Sequence, residues 1–147
     1  MTADQRPKHA AVARRERRIF GYIWASPATA IGLSIGVVAL CLGAKARIVD
    51  GVVEIGGERR AAPDSSRRRI PFDAITFGHV ILSKDPVCLA HLRAHEHVHV
   101  RQYERWGALF FAAYAVASGI EVLRGRNPYW WNRFEREARA KAGQRSG

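Results

Sequence analysis

The most conspicuous pattern along the chain is a gap in its charges. Ile19 to Ala44 carries no charged residue over 26 positions. As one helix this stretch would be about 39 Å long, and a hydrocarbon core of about 30 Å needs about 20 residues. The pattern therefore predicts an N-terminal transmembrane helix. Tyr22 and Trp24 stand near one end, where an interfacial aromatic belt belongs. Pro27 predicts an entry turn or a kink, and Gly32, Ser34 and Gly36 are small enough to let another helix approach closely. A cleaved signal peptide competes with a retained anchor, since Ala44-Lys45-Ala46 has the A-x-A form. The apolar run exceeds the usual ~7–15-residue signal core, which favours the anchor.

Beyond the gap the periodicity changes. Residues 46–55 read ARIVDGVVEI, with β-branched runs flanking Asp50-Gly51, and predict a β-hairpin. Residues 56–69 are polar, glycine-rich and basic, and predict an exposed loop. Ile75 to Leu82, ITFGHVIL, predicts a third strand. Asp85-Pro86 reads as N-cap and first residue of a helix running to about Trp106. A second helical stretch covers Ala108 to Arg124 and stops at Gly125. Asn127-Pro128 repeats the cap signal and predicts a last helix from there through Phe134, Glu135, Glu137 and Ala138. The fold class is thus α+β: an N-terminal transmembrane helix, a small antiparallel sheet or hairpin, then about three helices. The chain divides into a basic cytoplasmic tail (1–18), an anchor (19–44), one small domain (45–143) and a disordered tail (144–147).

Composition and charge narrow the partners. The 147 residues are 48% apolar and 25% charged, which excludes wholesale disorder, and two cysteines exclude a disulfide framework. The net charge of +11 suits phosphates. It lies mainly in the two tails and the 59–69 loop, and no recognition-helix motif or phosphate-cradling glycine loop accompanies it. Membrane lipids are therefore the expected partner, and nucleic acid is not expected. Basic residues slightly outnumber on the N-terminal side of the anchor, which predicts a single-pass protein with a cytoplasmic N-terminus.

Four of the six histidines, His91, His95, His97 and His99, fall within nine residues. They contain H-E-x-x-H: His95, Glu96, His99. On a helix, positions i and i+4 share a face one turn apart, so two imidazoles can hold one metal ion. Glu96 stands beside them, able to take a proton from water at that metal. A catalytic zinc normally takes three protein ligands. His91 is about 12 Å along the axis from His99, too far to close around the same ion, and reads as a support for the ligands, a substrate wall or plain helix surface. His97 lies half a turn off the 95/99 face. Glu135 or Glu137 on the last helix could complete the set; two positions apart, they point roughly 200° away from each other, so one of them can face the metal.

H-E-x-x-H followed by E-x-x-A, Glu135 to Ala138, resembles the gluzincin metallopeptidases, including the membrane-bound CAAX-prenyl-protease and heat-shock-peptidase type. Arg139 stands where that family has Asp. His95, Glu96, His99 and Gln102 also resemble the small H-E-x-x-H-x-x-Q domains of bacteria. The whole layout over residues 20–140 is similar to small bacterial membrane-anchored zincin-like proteins. The resemblance implies a zincin-type helix within a small metal-binding domain, Zn2+ as cofactor, His95, His99 and Glu135 as its ligands, and Glu96 as general base. It implies the bacterial cytoplasmic membrane as location, and a strand before the active helix, here Ile75–Leu82, that pairs with an extended peptide or protein substrate.

Other candidates carry less. His79 in that strand could donate to a substrate carbonyl or oxyanion, and Tyr103 continues the metal face and could do the same. Trp106 to Leu123 is apolar except for Glu121 and close to spanning length. If it spanned, the bilayer would separate the histidines from Glu135, so a single zinc site requires this segment to pack on the core or lie in the interface. The expected function is a membrane-anchored zinc metallopeptidase. The competing readings are a non-catalytic membrane protein with a structural or metal-holding histidine cluster, and a basic membrane-surface module. So short a chain could borrow the walls of a specificity pocket from a second copy or a partner membrane protein.

Overall fold

The computed structural model describes Glu16 and residues 19–57 and 73–144. The expected N-terminal tail (Glu16 apart), the 58–69 part of the expected loop and residues 145–147 lie outside them. The described elements are α1 (Ser26–Cys41), β1 (Lys45–Val49), β2 (Val52–Gly56), β3 (Ala74–Phe77), β4 (Val80–Ser83), α2 (Pro86–Trp106), α3 (Leu109–Leu123) and α4 (Arg133–Gly143). A helical turn at 19–24 precedes α1. This is a mixed α+β fold, but its N-terminal part departs from expectation.

The uncharged stretch does not form one long rod. It breaks at Ala25, and α1 runs for 16 residues. Pro27 accounts for the break: it has no N–H to offer the Ile23 carbonyl. The Ser26 hydroxyl donates to that carbonyl instead, at 2.7 Å. Among the described residues no single helix is long and apolar enough to cross a membrane, so the expected N-terminal transmembrane helix is unsupported. Helices α2 and α3 pass the same test only as a pair bent by 114°.

Packing explains the small residues of α1. Ala28, Gly32 and Gly36 form its buried stripe. A Cβ on Gly36 would lie 2.3 Å from Ile55 Cδ1, and one on Gly32 would lie 2.8 Å from the Cβ atoms of Phe77 and Val80. The close approach is therefore to the sheet, not to another helix. The opposite face carries Ile31, Leu33, Ile35, Val37 and Val38, all exposed.

The sheet order is β1-β2-β4-β3. The hairpin turn is Asp50-Gly51, as the sequence predicts, with both residues at positive φ (52° and 81°). The single strand expected over Ile75–Leu82 is two strands, because Gly78 at φ 58° reverses the chain. The sheet is also not purely antiparallel: β2 and β4 run parallel, with Val53 opposite Val80. Side chains alternate across it. Ile55, Val80 and Leu82 face α1, while Val52 and Ile81 pack with Leu89 and Val100 of α2. The result is three layers, α1, sheet and α2, with β3 left at an edge.

Helix α2 starts as its cap signal requires. Asp85 Oδ1 accepts the N–H groups of Val87 and Cys88 at 2.9 and 2.8 Å, and Pro86 follows the cap. Helix α3 turns back at Gly107 and packs Phe110 and Ala117 into a cluster with Tyr103, Phe134, Ala25 and Ala28. The last helix begins five residues later than Asn127-Pro128 suggests. Asn127 caps only a turn through Tyr129 and Trp130. The true N-cap is the fully buried Asn132, which accepts the Phe134 N–H and donates to the Tyr114 carbonyl and Ser118 hydroxyl of α3. That bonding fixes α4 against α3 and sets the direction of Glu135.

Candidate metal centre

Three side chains from two helices converge beside β3. His95 and His99 lie one turn apart on α2, and Glu135 sits in the first turn of α4. His95 Nε2 and His99 Nε2 are 3.1 Å apart, and each lies 3.2 Å from a Glu135 oxygen. A tetrahedral ion with bonds of about 2.0–2.1 Å has neighbouring donor atoms about 3.3 Å apart. The separations of neighbouring donors match that spacing, with His95 set against Glu135 Oε2 and His99 against Oε1, and one atom from each residue lies within 4.8 Å of the others. Two further observations fit a cation. Facing imidazole nitrogens at this distance need a proton or a metal between their lone pairs. Glu135 Oε2 is buried without a hydrogen-bond donor among the described residues. These three residues are the group of the described chain that could hold a metal ion.

The surrounding bonds aim the ligands. Gln102 Nε2 donates to the Phe134 carbonyl at 3.1 Å and to Glu137 Oε2 at 3.0 Å. Its Oε1 must therefore accept, and it meets His99 Nδ1 at 2.8 Å. The proton of His99 then sits on Nδ1, leaving Nε2 as the ligand atom. The Tyr114 hydroxyl donates to Glu135 Oε1 at 2.9 Å. Burial opposes ionisation of Glu135, but His95, His99 and Tyr114 outweigh it and hold the carboxyl well below the usual range. For His99, burial disfavours the charged ring, while Glu135 prevails and raises its pKa.

Glu96 is buried on the cleft side of α2, where Thr76 of β3 donates to its Oε2 at 2.7 Å. A cleft of about 330 Å³ opens beside it. Its walls include Thr76 and Phe77 of β3, Tyr103, Phe110 and Phe111, with Tyr129 and Glu135 opposite. Burial and the neighbouring Glu135 push the Tyr129 phenol up to about 12, and burial raises that of Tyr103 too, so both remain protonated donors at neutral pH.

The remaining candidates separate. Tyr103 lines the cleft, edge-on to Phe110 and Phe111. Glu137 points away from the metal triangle, to Gln102 and to Lys141 Nζ at 2.5 Å. His91 is exposed near the start of α2 and does not join the cluster. His79 is not in an edge strand. The reversal at Gly78 carries it to the N-terminal helical turn, where its ring stacks on Tyr22 and Nε2 meets Glu104 at 3.1 Å. Arg139, at the position where gluzincins have Asp, lays its guanidinium over Trp130, donates to the Trp130 carbonyl and stands 3.9 Å from Glu135 Oε2. Thr76, Tyr114 and Tyr129 were not legible as site residues. Each reaches the centre through tertiary packing, and no local spacing marks them.

No family model, curated protein or solved structure matches this chain.

Proposed function

We propose that the protein is a membrane-associated zinc metallopeptidase in which His95, His99 and Glu135 hold the metal and Glu96 is the general base. The observation that carries this reading is the convergence of two imidazole nitrogens, 3.1 Å apart, on the two oxygens of one carboxylate, each at 3.2 Å, beside a buried glutamate. Two imidazoles and one carboxylate suit zinc. Bound there, the ion supplies polarisation of a carbonyl and acidification of water. Glu96, oriented by Thr76, takes the proton of the attacking water and passes it to the leaving amine nitrogen as the C–N bond breaks. Tyr103 and Tyr129 stand in the cleft as donors for the substrate carbonyl. The outer edge of β3 is unpaired among the described strands and offers its N–H and C=O groups to an extended peptide.

The membrane part of the reading rests on exposed side chains. Outward residues of α1 and, on α3, Leu109, Val116, Ile120 and Val122 present apolar surface, with Tyr129, Trp130 and Trp131 beside them. Apolar area of this extent belongs against lipid or a partner, and the aromatic and arginine-rich loop before α4 suits the headgroup layer of the bacterial inner membrane.

Metal content of the detergent-purified protein tests the reading, beside H95A, E135Q and E96Q. About one zinc per chain is expected in the parent and in E96Q, with loss in H95A and E135Q. Hydrolysis of unstructured peptides should fall about 10²–10⁴-fold in E96Q. No metal in the parent after zinc is supplied would overturn the proposal. Zinc binding without hydrolysis in any condition would leave a metal-holding membrane protein.

A further inference from the structure

The far side of Gln102 from the metal triangle is a second recess. It has a volume of about 160 Å³ and lies between α2 and α4. Arg101 and Arg105 reach it from α2, and Arg133 and Lys141 from α4, with Trp106 and Phe134 behind them. The spacing is what two packed helices impose: residues 98, 101, 102 and 105 share one face of α2, and 133, 137 and 141 one stripe of α4. Glu137 is the acidic residue in the recess, and both its oxygens are engaged, Oε1 by Lys141 and Oε2 by Gln102. Among the described residues no carboxylate lies within ion-pair distance of Arg105 or Arg133. Cations gathered in one concave site repel one another unless an anion joins them. Guanidinium forks against a wall of indole and phenyl rings suit a phosphate group in particular.

We propose that this groove is a binding site for a phosphate-bearing anion, gripped chiefly by Arg105 and Arg133 with Lys141 at its end. The required chemistry is a phosphate monoester or diester. A lipid headgroup and a small soluble phosphate both provide it. The site does not depend on the metal centre being catalytic.

The test uses the full chain in detergent, reading the side-chain Nε–H signals of Arg105 and Arg133 by NMR. It titrates inorganic phosphate, then phosphatidylcholine bicelles with and without phosphatidic acid. Saturable shifts at these two arginines are expected. Binding should weaken at least about tenfold in the R105Q/R133Q variant, the loss expected for charge-assisted bonds. The charge-matched K45Q/K84Q variant, altered outside both the groove and the loop before α4, should bind as the parent does. Saturation by inorganic phosphate identifies a soluble anion as sufficient. A response confined to phosphatidic acid identifies the headgroup. Absence of saturation with both probes, or equal weakening in the two double variants, would overturn the proposal. The parent's own signals decide the matter if R105Q/R133Q fails to fold.

Discussion

Helix α2 holds a buried carboxylate on each of two sides, and the two are treated in opposite ways. Glu54 of β2, 1% exposed, receives Arg47 Nε at 2.6 Å and Arg93 Nε at 2.7 Å, with a second Arg93 bond at 3.2 Å. Glu135, 3% exposed, accepts one phenol at Oε1, has an imidazole nitrogen 3.2 Å from each oxygen, and keeps its nearest arginine at 3.9 Å, with Oε2 making no hydrogen bond. Arginine stays protonated throughout the physiological range, so the Glu54 charge is balanced once and for all. The histidines offer lone pairs or protons according to circumstance. The first arrangement ties β1, β2 and α2 together. In the second the nearest fixed cation, Arg139, stands 3.9 Å from Oε2, and the balance turns on the protons or metal that the histidines hold. The difference shows that burial of an acid is not itself a sign of chemistry; the partners decide.

The largest effect is expected at Glu135. E135Q should weaken zinc binding by more than about 100-fold, beyond what loss of an outer-shell partner costs, and should change the melting temperature of the metal-free protein little. Isothermal titration with zinc and a thermal melt in chelator check both halves. E54Q should do the reverse. Removing the acid leaves two guanidinium groups facing a buried amide, and a loss of about 2–4 kcal/mol in unfolding free energy is expected, with zinc stoichiometry of the folded protein intact. Denaturant unfolding measures it. Q102L should fall between: the His99 ring loses its orienting acceptor, and metal affinity should drop about 10–100-fold. The smallest effect is one of pH. Burial would raise the Glu54 pKa, but Arg93 and Arg47 outweigh burial and lower it. A folded-state pKa below the unfolded value contributes stability that is present above about pH 4.5 and lost as pH falls further. Acid titration of stability should show that loss in the parent and less of it in E54Q.

Much of this was legible along the chain. The Asp85-Pro86 cap, the Asp50-Gly51 turn and the stop at Gly125 are local devices, and each acts where the sequence puts it. The i, i+4 spacing of His95 and His99 likewise needs only a helix. The illegible parts depend on what lies across the molecule. Gly78 inside ITFGHVIL reads as an ordinary strand glycine until its positive φ reverses the chain, and with that turn His79 leaves the cleft. The parallel pairing of β2 and β4 involves residues far apart in sequence. Asn127 and Asn132 both precede helical residues, and only the contacts to Tyr114 and Ser118 mark Asn132 as the cap. Glu54 gave a faint local signal, a lone acid in a β-branched run, whose meaning depends on Arg93 thirty-nine residues away.

The glycine stripe of α1 sets how this protein can drift in sequence. At Gly36 a single added methyl meets Ile55, so α1 and the sheet can change there only together. Opposite, at Ile35, Val37 and Val38, any apolar side chain serves, because nothing in the described fold measures its shape. One helix thus carries two mutational regimes side by side. Variation among natural versions of the chain should be frozen every fourth residue and free in composition, though not in polarity, between.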